Sequence, residues 1–251
     1  MAVYKSKGIV LRSIRYGEAD RILDLYTQES GLVSAIAKGI RRTRSRFGGR
    51  LEPLSCVEFL AYEGKTLDTI TQVEVLRSFR GVRENLARLK AASGMVATVR
   101  ALSGGDEADR RVFNLLYHAL DALKGREEDT RSIEAAFGLK LSILAGYTPR
   151  LDACASCDGS FVEAADESSS YFAPSLGGML CPNCRSATSD SFPLSSETLA
   201  ALQNLVVRPI KEAAMEERLE ESVRRVVSSH VLAHAPGNTV LASDRRPLRL
   251  A

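Results

Sequence analysis

Two periodicities divide this chain. Through about residue 80 the apolar residues come in short bursts at strand spacing, GIVLRSI, RILDLYT, LVSAIAK, LSCVEFLAY and TLDTITQVEV. These bursts are rich in Val, Ile, Leu, Thr and Tyr, which fit a pleated, half-buried surface. Turn-forming groups separate them at YGEAD, QESG, RFGGRLEP and YEGK. The last burst alternates, with Leu67, Thr69, Thr71, Val73 and Val75 on one face and Asp68, Gln72 and Glu74 on the other. Five strands with no helix between most of them predict a small antiparallel barrel or sandwich, and a five-stranded Greek-key barrel of the OB type fits best.

From about residue 82 the spacing becomes helical. In VRENLARLKAASGMVATVRAL, residues Leu86, Leu89, Val96, Val99 and Leu102 fall near one face, and Ser103-Gly104-Gly105 ends the run. DRRVFNLLYHALDALKG gathers Val112, Leu115, Leu116, Ala119, Leu120 and Leu123, with Gly125 just past its end. RSIEAAFGLKLSILAG aligns Ile133, Phe137, Leu141 and Leu144. Later, SSETLAALQNLVV opens on serines suited to capping, and AMEERLEESVRRVVSSHVLAH reads as one long amphipathic helix. Residues 147–192 break the pattern with prolines and two close cysteine pairs. The expected fold is therefore α+β and multidomain: an OB-type barrel at 1–80, a helical bundle at 81–146 and 193–251, and a module inserted at 147–192. No repeat of solenoid period is present.

The inserted module places Cys154 and Cys157 in one C-x-x-C pair and Cys181 and Cys184 in a second. Two-residue spacing lets both thiolates of a tight turn face one ion, and two such turns complete a tetrahedral four-sulfur shell. One structural zinc per chain is expected, with no open coordination position for catalysis. The rival readings are a redox pair, which would want a βαβ setting, and disulfides, which a cytoplasmic chain disfavours. That compartment is expected because the opening MAVYKSKGIVLRSIRYGEAD has no basic stretch leading into a long apolar run, and no window approaches the length of a membrane span. Cys56, within LSCVEFL, reads as a small buried apolar residue.

Charge changes the picture at one place. The chain is nearly balanced, with 34 basic and 31 acidic residues, yet KGIRRTRSRFGGR at 38–50 holds six cations and no acid. Lys38, Arg41, Arg42, Arg44, Arg46 and Arg50 repel one another, so they are either solvated at a loop tip or wait for an anion. Five are Arg, whose planar fork matches phosphate oxygens. Phe47 stands among them as a candidate platform for a nucleobase. The run would emerge from a barrel of the kind that binds single strands. Nucleic-acid contact that tracks the backbone, with little base readout, is the favoured reading.

Catalytic signatures are missing. His230 and His234 lie one helical turn apart, but Val231 stands where a zinc protease needs Glu. They read as structural, as does His118 in its apolar helix. There is no phosphate-cradling G-x-x-x-x-G-K-[ST] and no G-x-S-x-G nucleophile turn. The residues alone leave two rivals to a nucleic-acid binder: a zinc-ribbon adaptor whose basic loop docks an acidic protein, and a metal-dependent hydrolase using His230 and His234.

Four stretches together resemble the RecO family of bacterial DNA repair proteins: KGIVLRSIRYGEADRILDLYTQESGLVSAIAKG at 7–39, KGIRRTRSRFGG at 38–49, GYTPRLDAC at 146–154 and CPNC at 181–184. The resemblance spans the whole length. It implies a recombination mediator that binds single- and double-stranded DNA, anneals complementary strands and acts with RecR and often RecF. It further implies help in loading RecA onto DNA coated by single-strand DNA-binding protein, whose acidic C-terminal tail would meet the helical domain. By the same resemblance Lys38, Arg41, Arg42, Arg44 and Arg46 are DNA contacts and the four paired cysteines zinc ligands. The protein would be cytoplasmic and nucleoid-associated during repair.

Overall fold

The computed structural model describes residues 2–43, 45, 47–103, 108–126, 129–159 and 170–235. Five strands, β1 (Val3–Tyr16), β2 (Asp20–Thr27), β3 (Gly31–Ala37), β4 (Cys56–Tyr62) and β5 (Asp68–Arg77), close a barrel in the order β1-β2-β3-β5-β4. Neighbours run antiparallel except at the closing seam, where β3 and β5 pair in parallel through Ala35–Asp68 and Ile36–Thr69. This is the OB-type architecture expected. Val10, Leu23, Leu25, Ala35, Ala37, Val57, Phe59, Ala61 and Ile70 fill its interior.

Strand β5 departs from simple alternation. Ile70 is fully buried, and Val73 and Val75 pack against the same core, although residues 70 and 73 would face opposite ways in an unbroken strand. The register against β4 shifts between Leu60–Gln72 and Ala61–Ile70, which leaves Thr71 as an extra residue. Its hydroxyl donates to the Leu60 carbonyl at 3.1 Å. A bulge of this kind flips the phase, so both halves of β5 turn an apolar residue inward.

Packing divides the described chain into two units. The first joins the barrel to α1 (Arg80–Arg83), α2 (Leu86–Leu102) through Val96, and α3 (Arg110–Lys124). Asp109 caps α3 by accepting from the Arg111 N–H at 2.7 Å, and its own carbonyl accepts from the Tyr26 hydroxyl on β2 at 3.4 Å. The Arg77–Asp121 ion pair at 2.8 Å and an edge contact between Phe79 and Tyr117 at 5.5 Å fix α3 further. By packing, then, α3 groups with the barrel, where the sequence pattern had placed every helix in one bundle. Leu86, expected on the buried face of α2, is 67% exposed; that face is formed by Ala91, Ala92, Met95 and Val99.

The second unit holds α2 from Ala97, α4 (Thr130–Leu144), strands β6 (Ser170–Ala173), β7 (Gly178–Leu180) and β8 (Phe192–Leu194), α5 (Ser196–Val207) and α6 (Glu220–His234). The three strands form a sheet in the order β7-β6-β8. Ser195 caps α5 as its spacing predicted, accepting from the Thr198 N–H at 3.2 Å. The amphipathic run before α6 is not all α-helical, because Glu217–Leu219 forms a 3-10 turn where Arg218 bridges Glu197 and Glu216. Helix α4 is buried almost all round. At Gly138 it meets α6 so closely that an added Cβ would lie 2.6 Å from Val227 Cγ1. Gly138→Ala is therefore expected to lower the stability by about 1–3 kcal/mol through overpacking. Denaturant unfolding checks this; an unchanged midpoint would mean the helices separate at no cost.

Candidate nucleic-acid interface and metal centre

The cationic run forms the connection between β3 and β4. Its first half is tied to the turn between β1 and β2. Gly39, at φ +71°, donates its N–H to Asp20 Oδ1 at 2.7 Å, and the Arg41 N–H donates to the Ala19 carbonyl at 2.9 Å. Arg41 Nη1 also reaches the Gly17 carbonyl at 3.4 Å. Turn bonds from Arg42 N–H to Gly39 and from Ser45 N–H to Arg42, at 3.1 and 2.9 Å, curl the chain onward. Lys38, Arg41, Arg42 and Arg50 are all exposed. None of the ion pairs formed among the described residues engages Lys38, Arg41 or Arg42. Arg44 and Arg46 lie outside the described residues.

Phe47 corrects the sequence expectation. Its ring is 1% exposed and belongs to the barrel core, with Leu51 beside it at 2%. A ring with no free face cannot stack on a base. The loop turns back into the barrel here because Gly48 adopts φ +49°, which lets Phe47 and Leu51 both point inward. Phe47 anchors the loop and is not a contact.

The structure also joins two cations that sequence distance concealed. Arg15 and Arg21 stand directly opposite each other on the β1–β2 hairpin, and Arg21 pairs in turn with Ala37, the residue before Lys38. Like charges across a strand pair destabilise it, and among the described residues Arg21 donates to the Ser13 hydroxyl, at 3.0 Å. Hairpin register, not local composition, brings them to the mouth of the loop.

In the second unit the four paired cysteines converge. Their sulfur atoms all lie within 4.8 Å of one another, and they are the one group of His, Cys, Asp or Glu among the described residues that could hold a metal ion. All are free thiols; the Cys157 and Cys181 sulfurs are 3.9 Å apart, far beyond a disulfide bond. Cys154 is buried, while the other three remain partly or largely open. Burial raises the Cys154 thiol, but N–H groups of Cys181, Ser156 and Cys157 outweigh it and bring the group to about 6. Ser156 pulls Cys184 down, but the crowding thiols Cys181 and Cys157 push it up to about 12. The Cys154 thiolate is thus favoured near neutral pH, while Cys157 and Cys184 are pushed toward the protonated thiol in the absence of a cation. That is the behaviour of a sulfur shell fitted to a metal ion, and the donor set is compatible with zinc.

Backbone pairing holds the shell. The segment from Arg150 to Ala155 runs beside β7, with Met179 N–H to Arg150 and Ala155 N–H to Met179 bonds of 2.9 and 2.7 Å. Gly178 permits this approach, since a Cβ there would sit 2.8 Å from the Arg150 Cβ.

Comparison with known proteins agrees with both halves of this geometry. The family model described as Recombination protein O N terminal matches residues 1–79, and Recombination protein O C terminal matches residues 83–238. The chain belongs to the RecO family. The DNA repair protein RecO of Rubrobacter xylanophilus is 63% identical over 97% of this chain and 96% of that protein. Those of Symbiobacterium thermophilum and Alkaliphilus metalliredigens are 34% and 31% identical, over 93% and 92% of this chain and 92% and 93% of theirs. RecO is a family of DNA repair and recombination proteins, not of enzymes. No helix among the described residues is long and apolar enough to cross a membrane.

Within this RecO-family chain the two histidines have packing partners. His230 is 1% exposed and its Nε2 lies 2.9 Å from the Tyr147 carbonyl. Burial lowers its pKa, so the neutral ring is favoured. His234 Nδ1 lies 2.8 Å from the His230 carbonyl, and both rings face Gly177, where a Cβ would sit 3.3 Å from His234 and 3.6 Å from His230. They fasten the β6–β7 turn to α6.

Two outcomes follow for this site. Phe47→Ala is expected to cost about 3–5 kcal/mol of stability, as for a large core truncation, in urea unfolding followed by circular dichroism. A loss below about 1 kcal/mol would return the ring to the list of surface contacts. Cys181→Ser is expected to abolish stoichiometric metal in the purified protein and to raise protease sensitivity within 150–190, with the barrel intact. Elemental analysis and limited proteolysis read the two effects, and a metal-free chain with an unchanged, protected segment would refute the assignment.

Proposed function

We propose that this chain is a recombination mediator that binds single- and double-stranded DNA without sequence readout and anneals complementary strands. The observation that carries the reading is the exposed set Lys38, Arg41 and Arg42, in no ion pair among the described residues and held at the end of an OB-type barrel. Arg50, exposed in the same run, is a further phosphate contact, and the family resemblance assigns Arg44 and Arg46 the same role. Two phosphate backbones repel, and a cationic surface that neutralises both lowers the barrier to their encounter. Base pairing then drives the reaction, so no hydrolysis and no catalytic residue is required. The ion in the thiol shell is zinc, one per chain, and its part is structural: four sulfurs fill a tetrahedral shell and leave no position for substrate.

Membership of the RecO family supports the finer assignments. The protein works in the cytoplasm, at the nucleoid during repair, with RecR and RecF. It helps load RecA onto DNA coated by single-strand DNA-binding protein, whose acidic C-terminal tail it meets through its helical part. In functional terms the barrel at 1–80 is the DNA-binding domain, the helical segments 81–146 and 193–251 carry the protein contacts, and 147–192 is the zinc module.

Changing Lys38, Arg41 and Arg42 together to Ala is expected to weaken single-strand binding by about two to three orders of magnitude at low salt, at roughly 1–1.5 kcal/mol per charge-assisted contact. The log–log salt slope should become shallower by about 2, from roughly 0.7 per lost phosphate contact. Unrelated sequences should lose equally, because phosphates carry no base information. Annealing of complementary oligonucleotides should fall in parallel. Unchanged affinity and slope would remove the loop from the DNA site and favour an adaptor that docks an acidic protein.

A further inference from the structure

We propose that Tyr16, at the end of β1, is the surface on which this protein stacks an unpaired base, and that it sets a preference for single strands over duplex. The proposal rests on the DNA-binding reading above and adds to it an aromatic contact that Phe47 cannot supply. Tyr16 is 54% exposed and ends the strand whose hairpin partner begins at Asp20. Residues directly opposite share a face of a sheet. Tyr16 stands opposite Asp20, and Arg21 opposite Ala37, so the next position along that row on the β3 side is Lys38. The tyrosine and Asp20 therefore share one cross-strand row, and Lys38, the first cation of the loop, follows directly where the β2–β3 pairing ends at Ala37.

The next row on the same face, two positions along, is apolar. Ile14 stands opposite Ile22, and Ile22 opposite Ile36. Ile14 is 38% exposed, which continues the ring's surface along the strand. Cations border this strip: Lys38, Arg41 and Arg42 stand on the loop that is bonded to the hairpin turn, while Arg15, one position from Tyr16, faces the other side of the sheet. Two carboxylates share the turn. Asp20 is engaged by the Gly39 N–H at 2.7 Å, and Glu18 projects at the tip. An exposed aromatic and aliphatic strip with cations along its edge matches the two parts of a single strand, flat bases and a phosphate backbone. Duplex DNA offers the same phosphates but keeps its base faces stacked on one another, so it gains from the cations and not from the ring.

The chain contains no Trp, so Tyr16→Trp installs a single fluorescent reporter at the proposed contact. Tyr16→Ala, Tyr16→Phe and Tyr16→Trp are compared with the wild type on a mixed-sequence oligonucleotide and on a duplex of the same length, at fixed salt. Tyr16→Ala is expected to weaken single-strand binding by about 5- to 100-fold. Its duplex affinity should stay within about twofold and its salt slope should not change. Phe should restore the single-strand affinity, and the Trp emission should be quenched by the single strand but not by the duplex. Equal loss on both substrates, no loss on either, or unchanged Trp emission at saturation would each overturn the inference. If the wild type binds neither substrate, the DNA-binding reading falls with it; if the wild type binds and the variants match it, only Tyr16 is excluded. Thermal unfolding of Tyr16→Ala separates a lost contact from a lost fold.

Discussion

Like charges must be held together against their own repulsion, and in this chain three apolar side chains hold them. Phe47, Leu51 and Leu54 are each at most 2% exposed. The chain is stitched to β1 at the same place, by Leu54 N–H to Val10 and Val10 N–H to Ser55 bonds of 2.7 and 2.9 Å. Burying one such side chain contributes roughly 1.5–3 kcal/mol. Two unit charges about 10 Å apart in water repel by only about 0.4 kcal/mol, and salt reduces that further. Apolar anchoring therefore wins by a wide margin, and it is strong enough to hold Leu54 at φ +69°, which costs a non-glycine residue about 1–2 kcal/mol. The exposed cations are gathered before any anion meets them, so less ordering entropy would be lost on binding one.

The second unit solves a different problem by similar means. The strands β6, β7 and β8 are three or four residues each, too short to stand as an independent sheet. Two attachments compensate. At one end the cysteine turns close around a sulfur shell. At the other Gly177 offers a side-chain-free surface to His230 and His234 on α6, and Arg225 lies over the Phe192 ring at 4.1 Å. The histidines, spaced like metal ligands, are thus part of the clasp between module and helix. The Tyr147 carbonyl engages His230 Nε2, while the buried Nδ1 of the same ring has no hydrogen-bond partner among the described residues.

Much of this was legible in the residues. The five strand bursts, the switch to helical spacing, the capping serine of α5 and each of the two C-x-x-C pairs depend on neighbours within a few positions, and local pattern records such neighbours. So does membership of the RecO family, which the loop and cysteine motifs carried. Where the reading went astray, a distant partner was responsible. Thr71 became a bulge because of its pairing with β4, and Leu86 is exposed although Val96, Val99 and Leu102 of the same expected face are buried, together with Ala91, Ala92 and Met95.

Phe47 and Tyr16 show the division most clearly. The sequence by itself determined that a barrel would carry a cationic connection and that an aromatic residue would stand inside it. Burial is a property of the closed barrel, however, and only closure decided that Phe47 points into the core. Register is likewise a relation between strands, and only the pairing of β1 with β2, and of β2 with β3, set Tyr16 beside a loop more than twenty positions further along. Composition can state which groups are present; which of them share a surface depends on hydrogen bonds between segments that local pattern does not record.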